Sequence, residues 1–114
     1  MTVSRVNDAR FENNKYETGF KLRTVNKTVG ADITLVSGEP PVQVLTITGS
    51  ARNITLPAIS EANEGLCFII VNIAASALNA VVKDAAANTI VTVAQNKTAM
   101  VVCDGVAWRA FAGA

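Results

Sequence analysis

The chain has 114 residues, of which 50% are apolar and 17% charged, with a formal net charge of +1 and no histidine. That length makes one domain with a single core, and the near-neutral balance excludes a polycationic nucleic-acid footprint. Without histidine, the commonest general base and the Ser-His-Asp and Cys-His arrangements are gone.

The charges are unevenly placed. Residues 1–30 hold six basic side chains (Arg5, Arg10, Lys15, Lys21, Arg23, Lys27) against three acidic ones (Asp8, Glu12, Glu17), and the remaining 84 residues share ten. A body that poor in charge is expected to expose apolar surface as a monomer, and self-association is the economical remedy. No apolar run approaches the length of a membrane span, and Met1 leads into a polar segment without a signal peptide's apolar core. The expectation is therefore a cytoplasmic chain with no membrane partner. Cys67 and Cys103 lie in apolar runs, where buried thiols are expected before a disulfide. Two cysteines without histidine give no metal-ligand spacing, and neither a metal nor a cofactor is expected.

In chain order, residues 1–30 set Phe11, Tyr16 and Phe20 among charges and asparagines. This is too polar for a packed core and too aromatic for a featureless linker, so an extended arm docking on another surface is the sharper reading. A leader without structure, or an arm covering its own domain, is the plainer one. Residues 31–114 read as the body.

Strands are expected over 31–36, 42–48 and 52–56, broken by Ser37-Gly38-Glu39-Pro40-Pro41 and Gly49-Ser50 and stopped at Pro57. Val42, Val44, Thr46 and Thr48 share one face of the second, with Gln43, Leu45 and Ile47 on the other. A short helical turn fits 58–65, capped by Ser60 and closed by Gly65. The run 66–71 has no polar residue on either face and is expected to be a central strand buried on both sides.

Further strands fit 78–83, 89–93, 97–103 and 106–111, with Asp104-Gly105 as a hairpin signal. Lacking a crossover helix, about eight short antiparallel strands are expected to form an all-β sandwich or short barrel, not a parallel sheet. Chemistry is sparse. Glu61 and Glu64 sit in a polar turn, and Asp84 and Asp104 occupy turns where aspartate bonds its own backbone. No glycine cluster cradles a phosphate. An enzyme is not expected, nor a small-molecule substrate. Trp108 fits a core or subunit-interface anchor better than a ligand-stacking residue, although a carbohydrate-binding reading would use it.

The order Leu56-Pro57-Ala58, Gly65, Phe68-Ile69-Ile70-Val71-Asn72, Thr89-Ile90 and Asp104-Gly105 followed by Trp108 resembles β-modules of tailed-bacteriophage virion surface proteins, including capsid decoration (cement) proteins and parts of fibres and spikes. The resemblance covers roughly the C-terminal half. It implies a jelly-roll or β-tulip-like body, a homotrimer, and a virion location outside the capsid after assembly in the host cytoplasm. The major capsid protein is the implied partner, touched by arm residues Arg5, Arg10, Phe11, Tyr16, Phe20 and Arg23. Phe68, Ile70, Trp108 and Phe111 are the implied core or oligomer anchors. The alternative within the same resemblance is a trimeric tail-fibre, spike or head-fibre module for attachment. The small size of the chain favours decoration.

Overall fold

The computed structural model describes residues 20–62 and 64–112. Among these described residues, nine strands and one short helix follow in order: β1 Thr24–Val29, β2 Ile33–Thr34, β3 Val42–Ile47, β4 Arg52–Thr55, α1 Ile59–Ala62, β5 Cys67–Asn72, β6 Ala80–Lys83, β7 Thr89–Val93, β8 Lys97–Cys103 and β9 Trp108–Ala112. The fold is predominantly β, as expected. Five strands form one sheet in the order β1-β3-β5-β8-β9, and four form a second in the order β2-β4-β6-β7.

The first six strands alternate between the two sheets, and their neighbours are parallel: β1 with β3, β3 with β5, β2 with β4, β4 with β6. Only the last part of the chain pairs antiparallel, through β6-β7, β5-β8 and β8-β9. This corrects the expectation of an all-antiparallel body, and the separate sheets correct the barrel alternative. A parallel pair needs a crossover long enough to return the chain to its starting end. Here a strand of the opposite sheet makes that return and buries the face a helix would otherwise cover. Thr24 stands opposite Val42, 18 residues on, and Val42 opposite Ile69, 27 residues on, so the chain winds like a flattened coil.

Period-two alternation places the core. β3 turns Gln43, Leu45 and Ile47 inward, and β5 turns in Phe68, Ile70 and Asn72; Ile54, Val82 and Val93 meet them from the other sheet. Fully burying a side chain such as Phe68 contributes about 2–3 kcal/mol. Its ring centroid lies 6.3 Å from that of Trp108, whose Nε1 donates to the Pro57 carbonyl at 3.0 Å.

Asn72 is buried yet satisfied: Nδ2 donates to the carbonyls of Leu78 and Val93, both at 2.8 Å, and Oδ1 accepts from the Ala74 amide at 2.9 Å. One side chain thereby ties the end of β5 to the chain entering β6 and to the end of β7. Gln43, equally buried, donates from Nε2 to the Pro40 carbonyl at 2.8 Å, but its Oε1 meets no donor among the described residues.

Three local expectations are corrected. The cap of α1 is Ala58, whose carbonyl accepts from the Glu61 and Ala62 amides, while Ser60 lies inside the helix; Pro57 ends the preceding strand early enough for the turn to begin there. Gly65 does exit left-handed, at φ +94°. β5 is central, but only alternate residues are buried; Cys67, Ile69 and Val71 are half-exposed on the outer face, because no layer covers that side among the described residues. The boundary at residue 30 also moves. Thr24–Val29 is an edge strand of the body, since its backbone pairs along all of β3.

Candidate functional site

The two sheets differ on their outer faces. On the four-stranded sheet that face carries Thr34, Asn53, Thr55, Lys83 and Thr92, with Val81 the apolar exception. The five-stranded sheet instead presents a row in strict register across four strands: Val42, Ile69, Met100 and Phe111. Val44 pairs with Val71 above that row, and Cys67 with Val102 below it. Each of these residues is half-buried except Phe111, which is 67% exposed. The apolar residues form a contiguous band across these four strands, bounded at opposite corners by Thr98, which pairs with Val71, and Arg109, which pairs with Val102. The largest contiguous apolar patch of a protein surface is often its functional one.

Period two explains why this face was hard to see. Val42 and Val44 were legible as sharing a face, but both faces of β3 carry apolar residues, so alternation alone does not say which of them lies outside. Gln43 and Asn72 point into the core while valines and isoleucine point away from it. The signal available in sequence was the unbroken apolar run over β5, which serves two faces.

Electrostatics leave the face nearly neutral. Among the described residues Arg109 is the one charged side chain on it, and its Nε is paired with Asp104 Oδ2 at 2.8 Å. That Arg109 bond, with hydrogen bonds from the Ala107 and Val106 amides, holds the Asp104 carboxyl far below the ordinary aspartate range. Asp84 is lowered as well, first by the Asn88 amide and further by the Asn88 side chain and the Ala86 amide. Both are aspartates serving their own turns, as the sequence indicated.

On the core side of edge strand β1, Lys27 pairs with Glu39. Burial pushes the Glu39 carboxyl up, but the Lys27 ammonium and the Val36 amide together bring it below the usual value. An inward charge on an edge strand is a device that discourages indiscriminate strand addition.

Burial raises the Cys67 thiol, which sits on the outer face, whereas Cys103 is buried in the core. The register places Cys67 opposite Val102, so the two thiols face opposite sides of the sheet and cannot bridge. Both are free, but the expectation of two buried thiols holds only for Cys103. Among the described residues, no three His, Cys, Asp or Glu side chains gather as a metal site.

No protein-family model, curated protein or solved structure matches the chain.

The anticipated site residues divide. Arg5, Arg10, Phe11 and Tyr16 lie outside the described residues. Phe20 is 85% exposed, and Arg23, also exposed, contributes its carbonyl to the Val42 amide at 3.2 Å. Phe68, Ile70 and Trp108 are interior. Phe111, grouped with them as a core or oligomer anchor, is not in the core: it stands in the outer apolar row, because β9 alternates and Trp108 has taken the inward side.

Proposed function

We propose that the protein is a non-enzymatic structural subunit: a homotrimeric sandwich that decorates the outside of a tailed-phage capsid and stabilises the expanded shell. The observation that carries this reading is the contrast between the two sheets, one outer face polar and the other an uncharged apolar row. An enzyme would need convergent polar groups, whereas an assembly subunit needs covered apolar area.

The bacteriophage resemblance of the C-terminal half supports the choice of shell. The aromatic and basic residues Arg5, Arg10, Phe11, Tyr16, Phe20 and Arg23 supply capsid-contact chemistry. Three such segments on one trimer would act at high effective concentration, so each contact could be weak while the whole clamps neighbouring major capsid subunits. A protein that binds only the assembled shell stabilises that state by mass action.

Sedimentation of the purified chain, followed by electron microscopy of virions carrying labelled protein, tests this. Three-chain mass and many copies over the head are expected. A single-chain mass at tens of micromolar would remove the homotrimer, and a few copies at the tail would replace decoration with attachment.

A further inference from the structure

Resting on the self-association just proposed, we infer that the outer face of the five-stranded sheet is the surface by which copies of this chain join, with β5 nearest the symmetry axis. β5 is the middle strand, flanked by two strands on each side. Its outward residues, Cys67, Ile69 and Val71, carry no charge and are half-buried.

The chemistry of the face selects a second copy as its occupant. Among the described residues its one charged side chain, Arg109, already has Asp104 at 2.8 Å, so a charged partner finds no unpaired complement there. A mainly apolar surface whose charge is already paired fits, and another copy of the same face is one. The relief is also self-complementary. On the β3 side Val42 is short and β-branched; on the other side Met100 and Phe111 are long, and Phe111 protrudes. A three-fold axis parallel to β5 and in front of this face sets the protruding β9 side of one copy against the flat β3 side of the next. The polar outer face of the four-stranded sheet then remains in water or against a different partner.

Two measurements on the full chain decide it. Ile69→Lys puts a charge at the centre of the row; it is expected to drop the sedimenting mass to that of one chain while the far-ultraviolet spectrum stays that of the parent. Val81→Lys, on the polar outer face, should keep the parental mass. In the unaltered protein Cys67 is the one outward thiol, so a short bis-maleimide is expected to give covalent dimers that vanish in Cys67→Ser. If the chain is oligomeric, yet Ile69→Lys stays oligomeric and no Cys67 cross-link forms, another surface joins the copies; this inference falls and the homotrimer stands. A single-chain mass for the unaltered protein removes both. Should Ile69→Lys fail to fold, the cross-link in the unaltered protein decides alone: covalent dimers through Cys67 support this face, and their absence overturns it.

Discussion

Trp108 donates its indole proton to the carbonyl of Pro57, 51 residues earlier, and so pins β9 of one sheet to the chain leaving β4 of the other. Three residues along β9, Phe111 stands on the opposite side, exposed. One short strand thus closes the core with one aromatic ring and offers another to the outside.

Substituting these two aromatics should separate folding from association. Trp108→Ala empties a core position and leaves the buried Pro57 carbonyl without its donor, at a cost of about 3–5 kcal/mol. Phe111→Ala should change single-chain stability by no more than about 0.5 kcal/mol while weakening self-association. Denaturant titration and sedimentation of each variant read the two effects independently.

The two buried amides should respond unequally. Asn72→Ala strands two carbonyls and one amide, each costing about 1–3 kcal/mol when left buried and unmet. Gln43→Leu gives up one hydrogen bond but removes an oxygen that has no donor, and should cost less than about 1 kcal/mol. Equal losses in a urea series would contradict the satisfied and unsatisfied assignments.

Acid should weaken the fold through Glu39. Its carboxyl lies below the ordinary 4.5 in the folded chain, so the unfolded chain binds the proton more readily. The stabilisation is complete above that ordinary value and is lost as pH falls through the folded one. Urea midpoints between about pH 6 and about pH 3 should therefore fall less steeply for Glu39→Gln than for the parent. Identical slopes would show that the Lys27 pair contributes nothing to the acid limb.

Gly49 and Gly38 make a matched pair of turn substitutions. Gly49 has φ +84°, and an added Cβ would stand 2.4 Å from Arg52 Nη2, the tip of a side chain whose Nε donates to the Thr48 carbonyl. Gly49→Ala should cost about 1–2 kcal/mol, chiefly from the left-handed backbone. Gly38→Ala meets nothing within 4 Å and should be near neutral. Thermal denaturation of the two variants checks the difference.

Local chemistry was legible in the sequence because it acts over a few residues. The β class, the stops at Pro57 and Gly49-Ser50, the left-handed exit at Gly65 and the aspartate turns at Asp84 and Asp104 all follow from backbone preference and short-range hydrogen bonds. The side of β3 carrying Gln43, Leu45 and Ile47 followed from alternation alone. Which strand lies beside which did not, because parallel pairing joins residues 18 or 27 apart and leaves no mark in the intervening chain. Thr24–Val29 looked like part of a polar arm until β3 claimed its backbone. The apolar row Val42, Ile69, Met100 and Phe111 exists only because four strands align in register, so no single segment could announce it. Composition required apolar surface to be left over after folding; the pairing of the strands decided where it lies.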